Sequence, residues 1–438
     1  GIYFCDGSSF TQGNSLDISA NTVHITKTNL IVDGSGLIQE LTVGLGGGDI
    51  SSNTVVGYQA LFNNTTGKHN TANGCVALYT NTIGSNNTAT GYSALFKNTG
   101  KHNTANGSFA LFNNTDGSYN VAIGNAALFT NTIGSNNTAT GYSALHFNTG
   151  KQNTATGAFA LHFNKEGNWN TANGYAALYE NTTGTHNVAT GYSALDKNTT
   201  GSYNTASGTE ALYKNTVGGG NVANGVQALC FNSDGSYNVA TGGYALCWNT
   251  GSNNTATGYQ ALYSNTDGSY NVAIGNAALY KNTDGSNNVA VGARALFKNT
   301  GSNNVATGYK ALYENTTGIN NVATGYQALH ENTDGSNNVA TGYKALYTNS
   351  GGKNNVATGA YALSQNTASY NTATGSYALH ANTIGSRNVA TGYKALNLNT
   401  DGSGNVATGY NALYANTTGG SNVATGSQAL YKNISGWG

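Results

Sequence analysis

Asn338 to Asn354 read NVATGYKALYTNSGGKN. With the Gly of G-x-x-A-L as anchor, the phrase returns 23 times between Gly57 and Gly426; 17 of the 22 spacings are 17 residues and five are 16. A near-constant period marks a stacked repeat, in which each copy buries its apolar face only against its neighbours. The full unit is N-[TV]-A-x-G-x-x-A-L-(aromatic)-x-N-T-x-G-x-x. Short copies drop one residue after the second Asn, as in NTGKHN at Asn98–Asn103 against NTTGKHN at Asn64–Asn70. That variation in length identifies the loop.

Asn stands four before and seven after the anchor in all 23 copies, and Ala three after and Leu four after are equally unbroken. Identical residues recurring once per turn lie above one another, where Asn amides can hydrogen-bond along the axis as ladders. Both Asn columns are therefore read as structural. Gly at the anchor and in the N-T-x-G loop supplies corners where φ can be positive. The pieces N-[TV]-A-x and x-x-A-L-aromatic are short, β-branched or aromatic, and bounded by turn residues, which is the pattern of strands. Seventeen residues are too few for helical repeats, whose units exceed about 30.

The reading is an all-β parallel β-roll or β-helix solenoid of about 23 rungs, each built of two short strands and two turns. At about 4.8 Å per rung it forms a rod of roughly 105 Å. Residues 1–52 read as an N-terminal β-rich stem or connector, 53–433 as the repeat shaft and 434–438 as a short tail.

Composition agrees with a rod. The chain has 438 residues, no Pro, 61 Gly and 8 % charged residues, against about 25 % charged in an average domain. Pro would remove a ladder bond wherever it appeared in a stacked strand. Length alone suggests about three domains, which the repeat overrides. Lys plus Arg (17) balances Asp plus Glu (17), leaving no basic field to hold phosphates, so nucleic acid is not expected as a partner. No run approaches about 18 consecutive apolar residues, so no membrane span is expected. The chain starts at Gly1 without a charged-then-apolar leader, which reads as a mature product or an excised segment.

After the anchor, Ala, Leu and an aromatic stand in succession: Phe or Tyr fills the third place in 14 copies and His in four, at His146, His162, His330 and His380. Strand alternation sends Leu to one face and Ala with the aromatic to the other. Both faces would be apolar, over a stripe larger than the few hundred Å² that monomers expose. One face is expected to close the chain's own core and the other to pack on sister chains. A wide single-chain solenoid with an exposed aromatic row is the alternative.

The units NVAIGNAAL (Asn120–Leu128 and Asn271–Leu279) and NVATGYKAL (Asn338–Leu346) resemble the head repeat of trimeric autotransporter adhesins. That resemblance implies left-handed parallel β-rolls with three chains side by side; the unit here is about three residues longer, the N-T-x-G loop filling the difference. GIYFCDGSSFTQG (Gly1–Gly13) is similar to the I-x-F-x-D-G-[ST]-x-Q-T segment of phage tail fibres, with Gln displaced to Gln12. SANTVHITKTNLIVDGSGLIQELTVGLGGG (Ser19–Gly48) is similar to the N-L-x-V-x-G repeats that precede such arrays. The resemblance implies an extracellular homotrimer on a virion or cell surface, tied at one end to a phage tail or surface anchor and meeting host-surface glycans. It also implies a self-cleaving C-terminal chaperone domain, and the ending NISGWG (Asn433–Gly438) is consistent with release or truncation.

Chemistry finds little foothold. Cys230 and Cys247 share the aromatic column in adjacent copies, about 5 Å apart and within disulfide range; buried free thiols are the preferred reading. Cys5 and Cys75 stand apart, and no C-x-x-C supports zinc. His146 and His162 stack in the same column, a conceivable two-His metal pair that reads better as aromatic substitution. Asp116, Asp234, Asp267, Asp284, Asp334 and Asp401 recur in N-T-D-G-S-type loops, faintly like calcium-binding β-rolls, and read as solvated turn residues. Carboxylates are scattered over non-equivalent columns, so no catalysis is expected. GLGGG (Gly44–Gly48) is not followed by a helical segment, which argues against a phosphate loop. The N-x-T sequons would matter only in a secreted eukaryotic chain. Tyr58, Tyr92 and Tyr142 after anchors, and Tyr119, Tyr203, Tyr237 and Tyr270 in loops, can stack on sugars or pack between chains; packing is favoured. No catalytic, cofactor or metal residue is assigned, no cofactor is expected, and ligand-binding residues are left open.

The function expected is a non-enzymatic structural fibre: the shaft of a phage tail fibre or surface adhesin that mediates or extends attachment to a host surface. The first alternative is an ice-binding β-solenoid. Thr occupies both places around the first Ala in only five copies (Thr88/Thr90, Thr138/Thr140, Thr154/Thr156, Thr255/Thr257, Thr372/Thr374), and Val replaces the first Thr in 13, a mixture that suits a buried β-branched column. The second alternative is a carbohydrate-binding or depolymerising tailspike, which lacks clustered carboxylates.

Overall fold

The computed structural model describes residues 30–31 and 42–436. From Thr54–Val56 to Val423–Thr425, one three-residue strand recurs per turn. Each pairs in parallel and in register with the next, so that Val322, Ala323 and Thr324 oppose Val339, Ala340 and Thr341. The chain is an all-β parallel solenoid with a 17-residue repeat, its 23 strands separated by 22 turns. Ahead of the array, β1 (Leu30–Ile31) pairs antiparallel with β2 (Thr42–Gly44), and β2 pairs antiparallel with β3 (Thr54–Val56). The chain then crosses the first turn, where Gly47 N–H donates to Leu61 O at 2.9 Å. Much of the expected stem, with GIYFCDGSSFTQG and Cys5, lies outside the described residues.

The expected second strand is a turn. In x-x-A-L, the second and fourth residues after the anchor are left-handed, as at Lys344 (φ 48–51° with its partner Leu346). Each such residue redirects the chain, so consecutive Cβ atoms no longer alternate. Ala345 and Leu346 are both fully buried, and the aromatic that follows is half-buried. This overturns the assignment of Ala and Leu to opposite faces: both close the chain's own core. A left-handed non-Gly residue costs about 1–3 kcal/mol, and burying Leu returns about 1.5–3 kcal/mol. Burial of Leu offsets the strain along the array, and the last rung keeps the same turn at Leu430 (φ 48°) although that side chain is half exposed.

Backbone pairing does not stop at the strands. Lys344 N–H donates to Tyr326 O and Leu346 N–H to Ala362 O, each at 2.9 Å. Turns as well as strands are therefore hydrogen-bonded along the axis, and this extends the reason for the missing Pro to most of the rung.

The core of one rung is narrow: Asn338, Ala340, Ala345, Leu346 and Asn349 are all fully buried. The two Asn columns form ladders of different kinds. In the first, the backbone joins the side chains: Asn338 N–H donates to Asn321 Oδ1 at 3.0 Å, and Asn338 Nδ2 donates to the same oxygen at 3.2 Å and to Gly352 O at 2.8 Å. In the second, amide meets amide, Asn349 Nδ2 donating to Asn332 Oδ1 at 2.8 Å and to Gly352 O at 2.9 Å. Buried polar groups are tolerated because their hydrogen-bonding capacity is met within the stack.

Anchor glycines have the required positive φ, 127° at Gly242, where an added Cβ would lie 2.7 Å from Gly258 O. Loop glycines do not. At Gly352 a Cβ would instead collide with Asn349 Oδ1, so close approach selects Gly there. The left-handed position in the loop comes two residues later, at Asn354 (φ 57°).

Candidate functional site

Three long surfaces face outward, and each is one set of columns from the repeat. On the strand face the middle Ala points inward and its two neighbours point out. The column before the Ala holds 13 Val and 10 Thr, and the column after it holds 14 Thr and four Asn among its 23 residues. Val188 is 41 % exposed and Val339 37 %. The expected buried β-branched column is therefore on the outside. The core accommodates only Ala and Leu at this level, and a three-residue strand pinned by Asn and Gly has one inward position, which Ala takes. Val is also unevenly placed. It fills nine of the ten first positions from Val272 to Val423 but four of the 13 before them. All five Thr pairs lie on this face, half-buried or exposed.

The second surface carries stacked rings. Phe62, Tyr79, Phe96, Phe112, Phe129, His146, His162 and Tyr179 form one ladder, with successive centroids 5.0–5.7 Å apart. Tyr263, Tyr280, Phe297, Tyr313, His330 and Tyr347 form a second at 5.0–5.1 Å. His146 and His162 occupy ring positions, 5.0 Å apart and 24° from parallel. Burial lowers the pKa of His146, His162 and His330, and at His146 the neighbouring His162 lowers it further. These imidazoles serve as neutral rings. Among the described residues no group of three or more His, Cys, Asp or Glu is placed to hold a metal.

Cys230 and Cys247 are buried free thiols in the same column. Their shared hydrogen bond and burial push the Cys230 thiol up. Cys75 is free and half-buried. The six loop aspartates are all exposed, and Asp116 accepts from Thr99 Oγ1 at 2.9 Å.

The third surface is the loop edge. Trp169, His186 and Tyr203 stack at 4.9 and 4.8 Å, and Tyr119, Tyr203, Tyr237 and Tyr270 are 58–69 % exposed. Tyr58, Tyr92 and Tyr142 are also exposed, at 42–53 %. Some of these rings pack on neighbours of their own chain, Tyr119 on His102 at 4.8 Å and Tyr92 edge-on against Phe109 at 5.3 Å, and still keep an outward face.

Five residues interrupt the ring column: Asp196, Cys230, Cys247, Ser364 and Asn397. Sequence reading singled out the cysteines and passed over the others. The signal was their departure from a column otherwise filled by Phe, Tyr or His. No helix among the described residues is long and apolar enough to cross a membrane. Comparison with protein-family models, curated proteins and solved structures found no match to this chain.

Proposed function

We propose that the chain is the shaft of an extracellular fibre, a left-handed homotrimeric solenoid of the tail-fibre or adhesin kind that sets the reach of an attachment apparatus and catalyses nothing. One observation carries the reading: the outward Val column on the strand face, nearly unbroken from Val272 to Val423. A nearly continuous Val strip over ten rungs is of the size of the largest apolar patches on monomers, which are commonly interaction surfaces, and sister copies related by symmetry would cover it along its length. The packing argument thus moves from the Ala and aromatic columns to this strip. Sedimentation equilibrium of the purified chain is expected to return three times 44.8 kDa; a stable monomer at micromolar concentration sinks the proposal.

A second reading has one observation in its favour. The Thr pairs face outward on a sheet with about 4.8 Å between rungs and nearly 7 Å between columns, a regular hydroxyl and methyl array suited to ice. Thermal hysteresis from the purified protein would place this reading first.

A further inference from the structure

The ring column fails differently at Asp196 than at its other interruptions. At Ser364, the hydroxyl lies 2.7 Å from His380 Nδ1, and Tyr361 packs edge-on against His380. At Asn397, Nδ2 donates to Tyr377 O at 3.0 Å. Cys230 and Cys247 satisfy each other. At Asp196 the neighbouring inward-turning position is only Ser193, so nothing large fills the missing ring. A hollow of about 330 Å³ results. Tyr179 and Tyr213 bracket it one rung away on either side, and Tyr175 and Tyr192, stacked at 5.4 Å, form its wall.

The base of the hollow is polar and charged. Asp196 is 7 % exposed, and its Oδ1 is buried. Lys197 Nζ, which carries three N–H donors, pairs with that oxygen at 3.3 Å and donates to Glu180 Oε1 at 2.6 Å. Burial raises the Asp196 pKa, and the Lys197 charge opposes that effect. A Phe or Tyr here would have continued the ladder, as at 14 other rungs.

We propose that this hollow is a binding site for a neutral pyranose ring. Tyr179 and Tyr213 are two rungs, about 10 Å, apart, which leaves room for one ring at van der Waals distance, 3.5–4.0 Å, from each. A sugar offers C–H groups to the aromatic faces of the walls and O–H groups at its edge to the Tyr hydroxyls and the rim of the Asp196 carboxylate. A cationic ligand would meet Lys197 already beside the carboxylate. An acidic sugar would meet Asp196 and Glu180, two negative charges against one positive. The site does not depend on the trimeric shaft.

Saturation-transfer NMR on the full chain, with methyl glucosides, galactosides and mannosides and N-acetylglucosamine at about 10 mM, registers even a millimolar Kd. Transfer to at least one neutral sugar is expected, with none to glucuronate or tetramethylammonium. Asp196→Tyr restores the ladder and should abolish transfer while raising thermal stability. Ser193→Tyr fills the same hollow from the other side and should also abolish it. Asp196→Asn should weaken binding about tenfold by replacing the charged acceptor. The proposal is overturned by no transfer from any neutral sugar, by undiminished transfer in both Tyr variants, or by a preference for tetramethylammonium or glucuronate. Mass measured on the same sample separates the two proposals, since a sugar-binding monomer removes the trimer and leaves the site.

Discussion

Leu at the fourth place after each anchor is the residue whose role sequence and structure describe most differently. Its burial was legible from its invariance in the repeat. Its left-handed backbone was not, because alternation arguments assume an extended chain and Leu carries no mark of αL preference. Gly was legible only at the anchor. Adjacent residues make the contrast testable: Gly242 has φ 127° and faces Gly258 O, whereas a Cβ on Gly243 would meet nothing nearer than a Tyr259 ring carbon at 3.5 Å. Gly242→Ala should cost roughly 2–5 kcal/mol by strain and collision, and Gly243→Ala should stay within about 0.5 kcal/mol. Urea unfolding of the two variants, with hydrogen exchange in the neighbouring rungs, reads the difference.

At the scale of elements, the ring ladder was readable as a stacked column but its half-buried placement was not, since the side it takes depends on the turn that precedes it. The Asn ladders were readable as columns of stacked amides, yet the backbone donor in the first ladder was hidden because sequence does not show which N–H lacks a strand partner. The ladder also gives a pH response. His146 and His162 have pKa values lowered chiefly by burial, so the folded state binds fewer protons than the unfolded one. Their contribution is fully present above the ordinary His value of about 6.5 and is lost as pH falls through the lowered values. Melting temperature should therefore drop between pH 7 and pH 5. The double variant His146→Phe, His162→Phe, which copies rings found elsewhere in the ladder, should flatten that slope.

Across the whole molecule, the repeat made the solenoid legible because one error in register would have to recur in every copy. Which side faced water was not legible: Val and Thr are compatible with either face of a strand, and only the width of the Ala–Leu core decides. If the Val strip is an interface, charge placed on it should separate chains without unfolding them. Val322 and Val339 are each 37 % exposed and adjacent in register. Val322→Asp with Val339→Asp should shift the sedimenting mass toward 44.8 kDa while the far-ultraviolet circular dichroism stays unchanged. Unfolding would instead place those side chains in the chain's own core.

The axial hydrogen bonds have a mechanical consequence. Tension applied to the two ends of a single chain pulls each rung directly away from the next, so the bonds are loaded in line, as in a zipper, and yield one rung at a time rather than all together. Each yielding rung frees 17 residues, a gain of about 50–55 Å in contour length once the stacked rise is subtracted. An optical-tweezers trace should show a regular sawtooth at that spacing and modest force, making the rod an extensible tether that absorbs work in equal steps.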